Sequence, residues 1–129
     1  MRILGIDYGR SKIGLAMGIN GFAEPLEVIR YKDIEILSEE IRQLIEKEKF
    51  EKIVIGISEG EMAEESKEFA KLIQPFIKSE IEFFDETLTS QDAQRLSMEA
   101  GIGPKKRHQM EDAYAASIML QGYLDSHMS

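Results

Sequence analysis

The sequence predicts an α/β fold: a five-stranded mixed sheet, its first three strands antiparallel and its last two parallel, with helices on both faces. Three observations carry this expectation. Residues 2–30 form three apolar runs separated by turns too short to hold a helix. From residue 33 the apolar positions change to helical spacing, and two further apolar runs, KIVIGI and IEFF, each follow such a stretch. Strands joined by short turns are antiparallel neighbours, whereas a strand reached through a helix joins by a right-handed crossover.

RILGID reads as the first strand, Tyr8-Gly9-Arg10-Ser11 as a turn and KIGLAMG as the second strand. FAEPLEVIR is the third, and Pro25 within it requires an edge or a bulge, because proline cannot donate to a ladder. Ile34, Leu37, Ile41, Leu44 and Ile45 recur at helical spacing, which predicts an amphipathic helix over residues 34–48. KIVIGI is continuously apolar, so it is a strand buried on both faces. A second helix is predicted over 61–78, with Met62, Phe69, Leu72, Ile73 and Phe76 on its apolar side, followed by IEFF as the last strand. Thr89 or Ser90 can cap a third helix ending at Gly101, and a loop rich in glycine and lysine leads to a final helix over 109–125.

Length and composition bound the function. With 129 residues, 43% of them hydrophobic, the chain suits one domain, residues 1–125, with a short tail at 126–129. Cysteine is absent, which excludes disulfides, thiolate metal sites and a cysteine nucleophile. Asp7 and Arg10 interrupt the only apolar stretch near the start, so neither a signal peptide nor a membrane span is expected; a cytoplasmic protein is the default. Residues 35–86 hold 15 acids and 7 bases and account for all of the net charge of −8. Elsewhere bases gather at Arg10 and Lys12 and, most densely, at Lys105, Lys106 and Arg107. Screening confines such charges to about 10 Å at moderate salt, so an acidic chain can still hold a polyanion through local patches.

Three acidic positions carry the chemistry. Asp7 closes an apolar strand, where a carboxylate is costly unless something cationic offsets it. Asp85 and Glu86 close the last strand, and the carboxyl ends of parallel strands are where open sheets bind ligands. In the final helix, 100° per residue puts Asp112 in line with Ala115, Ala116, Met119, Leu120 and Tyr123, on the face expected to be buried, while Glu111, Ser117, Gln121 and Asp125 are expected outward. Small residues at Ala113, Ala115 and Ala116 let that helix approach the sheet. Carboxylates forced together repel unless a cation neutralises them, and magnesium or manganese suits hard oxygen ligands. Two such ions roughly 4 Å apart can hold a phosphodiester, activate water and stabilise the departing oxygen.

Three blocks, RILGIDYGRSKIGLAMG, FFDETLTSQDAQRLSMEAG and EDAYAASIMLQGYLD, resemble the YqgF/RuvX family of RNase H-like nucleases, relatives of the RuvC Holliday-junction resolvases. The resemblance spans nearly the whole chain and implies an RNase H-like fold. It implies Asp7, Glu86 and Asp112 as catalytic, metal-binding carboxylates, with Asp85 as an additional metal-shell contributor and Mg2+ or Mn2+ as cofactor. It implies a metal-dependent endonuclease acting on structured RNA or branched DNA, chiefly in 5′-end processing of pre-16S rRNA, with Holliday-junction resolution as the alternative. A nucleic-acid-binding module that keeps the fold with weak catalysis is a third reading, and a homodimer is left open. The chain departs from the family pattern at Thr87, where arginine is usual, and in GISEGEMAEES, which is acidic and lacks the usual proline.

Arg10, Lys12, Lys105, Lys106, Arg107 and His108 are the candidate nucleic-acid contacts, the last four lying just ahead of the helix that bears Asp112. His108, one turn before Asp112, reads first as a solvated histidine at a helix start and second as a proton carrier. Tyr8 could stack on a base, although a tyrosine near a strand end is commonly half-buried. Actin-like and sugar-kinase ATPases also begin with a strand, an acid and a glycine turn, but they need a second domain and a second phosphate loop that 129 residues do not supply.

Overall fold

In a computed structural model of the chain the described residues are 1–57, 60–85 and 110–127. They form β1 (Arg2–Asp7), β2 (Lys12–Ile19), β3 (Phe22–Arg30), α1 (Ile34–Glu48), β4 (Lys52–Ile57), α2 (Glu61–Ile73), β5 (Glu80–Asp85) and α3 (Glu111–His127). The sheet order is β3-β2-β1-β4-β5, with β1–β2 and β2–β3 antiparallel and β1–β4 and β4–β5 parallel. The mixed sheet read from the sequence is therefore present, with β1 at its centre. The helix expected between Thr89 or Ser90 and Gly101 lies outside the described residues.

Local chemistry sets the boundaries. β2 and β3 meet through Asn20 and Gly21, both at positive φ (56° and 84°), as a two-residue hairpin that follows strand twist requires. β3 is an edge strand, and its register slips where Leu15 faces Glu27 but Ala16 faces Pro25, leaving Leu26 as the extra residue. Pro25 thus sits at an edge and at a bulge together, where its missing N–H is tolerated. Asp33 caps α1, its side chain accepting from the Glu35 N–H at 2.8 Å, and α1 spans the residues its periodicity predicts. α2 stops at Ile73, short of the expected 78, because Pro75 has no N–H with which to continue the helix; Gln74–Phe76 form a single 3-10 turn instead.

Strand alternation divides the core in two. Leu4, Ile6, Ile13, Leu15, Ile53 and Ile55 pack against α1 and α2, whose Leu37, Ile41, Ile45, Phe69 and Ile73 face them. Ile3, Ala16 and Val54 face α3, meeting Ala116, Met119, Leu120 and Tyr123. Each such side chain taken fully out of water contributes about 2 kcal/mol. Residues on the α3 side are small where the helix lies close: an ideal Cβ on Gly5 or Gly18 would come within 3.1–3.2 Å of the Leu120 side chain.

The faces of α3 differ from the helical-wheel expectation. Ala113 is buried and Ala115 only half-buried, while Ser117, expected outward, is buried and donates to the Tyr114 carbonyl at 2.8 Å. Gln121 accepts from the Ala23 N–H at 2.9 Å and donates to the Gly21 carbonyl at 3.0 Å, so it pins α3 to the β2–β3 hairpin. The physical reason is breadth: α3 lies across β1, β2 and β3, and contact with three strands buries more of its circumference than one stripe. The helix also runs to His127, two residues past the expected end.

Candidate active site

The site is built at the carboxyl end of β1. Ile3, Gly5 and Asp7 alternate onto the α3 face, and Asp7 pairs with Gly14 on one side and Gly56 on the other. Neither neighbour carries a side chain, so the half-buried Asp7 carboxylate rises from a bare stretch of sheet. On β2, Lys12 and Gly14 share that face with Ala16 and Gly18. α3 begins directly above them.

How close is set by Gly14. A Cβ there would fall 1.9 Å from the Asp112 carbonyl oxygen and 2.7 Å from the Ala113 nitrogen, so only glycine lets the first turn of α3 rest on the strand. Paired Cα atoms in antiparallel strands are about 5 Å apart, which brings the Asp112 backbone within about 9 Å of that of Asp7. The Asp112 side chain, 29% exposed, meets Lys12 Nζ at 3.1 Å through Oδ2. Of the sequence-predicted residues, Asp7, Lys12 and Asp112 are therefore brought to one face at one end of the sheet.

Other predicted residues fall elsewhere. Asp85 alternates onto the face of Ile81, against α1 and α2, while Glu82 and Phe84 face α3. Strand alternation places Asp85 on the face of the sheet opposite to that of Asp7. Arg10 is exposed and is held by α2: its Nε donates to Glu65 at 2.9 Å and its Nη2 to Glu61 at 3.2 Å, and Glu65 chiefly raises its pKa. Tyr8 is not presented for base stacking, since its ring stacks on Phe69 at 5.2 Å and lies 6.5 Å from Tyr31. Glu86, Lys105, Lys106, Arg107 and His108 lie outside the described residues.

Sequence reasoning missed the residues that hold the turn after Asp7. Tyr31 donates its hydroxyl to the Gly9 carbonyl and its N–H to the Ser11 carbonyl at 3.0 Å, clamping both sides of the turn. Burial, and then the neighbouring Tyr8, pushes the Tyr31 hydroxyl pKa upward. The glycine at position 9 is needed because a Cβ there would fall 2.5 Å from the Lys12 carbonyl oxygen. The sequence signals for these were the Tyr31 at the end of β3 and the two glycines bracketing Lys12, neither of which has meaning before the strands are paired.

The donor chemistry fits a hard divalent cation. Carboxylates at a strand end and a helix start offer oxygen ligands, and a cationic group is already drawn to Asp112. Among the described residues no cluster of three or more acids or histidines is assembled, the third predicted acid, Glu86, being outside them.

The sheet order and its flanking helices are those of an RNase H-like α/β fold, with Asp7 and the start of α3 at the carboxyl end of its central strand. Solved structures share this architecture: Thermus thermophilus RuvC in complex with a Holliday junction substrate (TM-score 0.66, 14% identity, 100% of this chain and 96% of that one) and the fowlpox virus resolvase with its Holliday junction DNA (TM-score 0.68, 12% identity, 100% of both). At those identities the likeness is one of fold. In sequence, the family model described as "RuvX: Holliday junction resolvase" matches residues 1–126. Proteins named "Putative pre-16S rRNA nuclease" are 38% identical in Halothermothrix orenii, over 97% of this chain and 95% of that protein, and 38% in Acetivibrio thermocellus, over 98% and 96%. The chain belongs to the RuvX (YqgF) family.

Proposed function

We propose that the chain is a metal-dependent endonuclease that hydrolyses phosphodiester bonds in structured nucleic acid, with 5′-end processing of pre-16S rRNA as its task. The observation that carries this reading is the placement of Asp112 over Gly14, beside Asp7, with Lys12 on its carboxylate. Family membership and relatives named for pre-16S rRNA support the substrate. The third carboxylate in this reading is Glu86, which follows the last residue of β5 in the sequence.

Asp7, Glu86 and Asp112 would hold Mg2+ or Mn2+, which when bound supplies an activated water and offsets charge developing on the phosphate. The chain's own contribution is positional. The Tyr31 clamp fixes the turn after Asp7, Gly14 fixes the height of Asp112 above the sheet, and Lys12 balances one carboxylate charge. Lys105, Lys106, Arg107 and His108, with Lys12 and Arg10, are the proposed phosphate contacts. Such a reaction places the protein in the cytoplasm; among the described residues no helix is long and apolar enough to cross a membrane.

A second reading, cleavage of branched DNA, is supported by the description of the matching family as a Holliday junction resolvase, and two structures of the same fold hold Holliday junctions. One assay separates the two: a precursor-rRNA fragment and a four-way DNA junction offered side by side, with and without divalent metal. Metal-dependent cleavage at the 5′ end of the mature rRNA supports the first reading, junction cleavage alone supports the second, and turnover of neither overturns both.

A further inference from the structure

Six of the seven bases of the acidic middle segment divide into two sets, and the seventh, Lys47, stands exposed in the last turn of α1. Lys52, Lys67 and Lys71 are each within 4 Å of a carboxylate. Arg42, Lys49 and Lys78 instead border one cleft of about 350 Å³, and among the described residues none of them has a carboxylate within ion-pair distance. Glu46 is the one acid lining that cleft, so a local positive excess stands within a chain of net charge −8.

The cleft is built rather than incidental. Its walls are the connections entering β4 and β5, tied together where Ser79 Oγ donates to the Phe50 carbonyl at 2.6 Å and Gln74 Nε2 donates to the Ser79 carbonyl at 3.3 Å. Lys49 caps α1 in the left-handed conformation (φ 56°, ψ 47°), where the backbone favours glycine, yet a lysine is set there at the cleft's rim. The 3-10 turn holds Phe76 out, the residue being 68% exposed, and the Arg42 guanidinium covers one side of its ring at 4.1 Å. A volume of this size is at the lower end for small-ligand sites, about 300 Å³, enough for a single nucleotide.

We propose that this cleft is a second nucleic-acid contact, in which an unpaired base stacks on Phe76 while Arg42, Lys49 and Lys78 meet the adjoining phosphates. An exposed aromatic ring among uncompensated cations is the pairing that single-stranded nucleic acid recognises, because every base has a π-face and every linkage a charge. The cleft opens at the amino-terminal end of β4, about 13 Å along that strand from the row of Gly56 and Asp7. It therefore grips the strand away from the scissile bond. The inference rests on the nucleic-acid reading above and extends it from where the strand is cut to where it is held.

The test is fluorescence anisotropy of a short labelled single-stranded RNA with the full chain in chelator, so that cleavage does not intervene. Phe76→Ala should weaken binding about tenfold. Lys49→Glu with Lys78→Glu should flatten the dependence of log affinity on log salt by about 0.7 for each lost phosphate contact. All these side chains are exposed, and unchanged thermal melts establish that the variants fold. Affinity within twofold of the parent in both variants overturns the proposal, as does loss in the lysine variant alone, which marks a plain anion contact. Displacement of the RNA by polyglutamate as readily as by unlabelled RNA overturns it too. The two readings fail separately: no cleavage of any substrate with binding still dependent on Phe76 sinks the nuclease assignment and leaves the cleft, whereas cleavage with binding indifferent to Phe76 sinks the cleft alone.

Discussion

Gly14 pairs with Asp7 across the β1–β2 ladder and lies under the Asp112 backbone so closely that a Cβ there would fall 1.9 Å from the Asp112 carbonyl oxygen. One residue without a side chain thus sets the separation of two acids that are 105 positions apart in the sequence.

Gly14→Ala should therefore lift the first turn of α3. Overpacking against backbone, which cannot rotate away, is expected to destabilise the fold by about 3 kcal/mol. A displacement on the order of 1 Å at Asp112 should lower cleavage about a hundredfold. Urea denaturation and initial cleavage rates measure the two effects; parent-like stability and rate would show that α3 does not rest on Gly14.

Lys12 occupies the position a cation would take on Asp112, with Nζ 3.1 Å from Oδ2. Both side chains are about a third exposed, so the pair itself is worth at most about 1 kcal/mol. Lys12→Met should leave stability nearly unchanged and tighten divalent-cation binding by up to about fivefold, because the competing ammonium is gone. Calorimetric titration with manganese reads this directly. Weaker binding in the variant would mean that the lysine assists the site rather than competes for it.

Arg10 is proposed to meet phosphate, yet it is held by Glu61 and Glu65. Replacing both acids by glutamine should free the guanidinium, strengthen nucleic-acid binding and steepen its salt dependence by about 0.9 for one added duplex phosphate contact. Salt titrations of binding to a duplex substrate test this; an unchanged slope removes Arg10 from the interface.

Much of this arrangement was legible before the strands were paired. α1 coincides with its apolar period, and Pro25 stands at the bulged edge its chemistry demands. Asp7 and Asp112 stand out in the sequence because a carboxylate in an apolar pattern asks for a partner, and the structure brings their backbones to the same end of the sheet. What escaped was tertiary. Arg10 looks like a free base in sequence and is bound by acids 51 and 55 positions away. Ser117 and Gln121 look like a solvated face, but three strands beneath α3 give them backbone partners. Tyr8 sits next to a catalytic candidate in sequence and on the opposite face of the sheet in space, because strand alternation reverses direction at each residue.

Alkaline pH should weaken the fold. Burial raises the pKa of Tyr31, and burial followed by Glu82 raises that of Tyr123. A raised folded-state pKa means the stabilisation is complete below the unfolded value of about 10 and is lost as pH climbs past it. Thermal melts should therefore decline above about pH 10, and Tyr31→Phe should shallow that decline while removing the bond to the Gly9 carbonyl, a loss of about 1 kcal/mol at neutral pH. An alkaline limb identical in the variant would place the ionisation elsewhere.

Asp7, Glu86 and Asp112 are proposed to serve one divalent-metal centre. The decisive measurement is manganese binding to the parent chain and to Asp7→Asn, Glu86→Gln and Asp112→Asn, each checked for retained secondary structure. Every one of the three folded variants should weaken manganese binding at that centre by at least about tenfold, the effect of removing a carboxylate ligand. Manganese affinity unaffected by any one of the substitutions would take that residue out of the site, and affinity unaffected by all three would mean that these carboxylates form no metal centre.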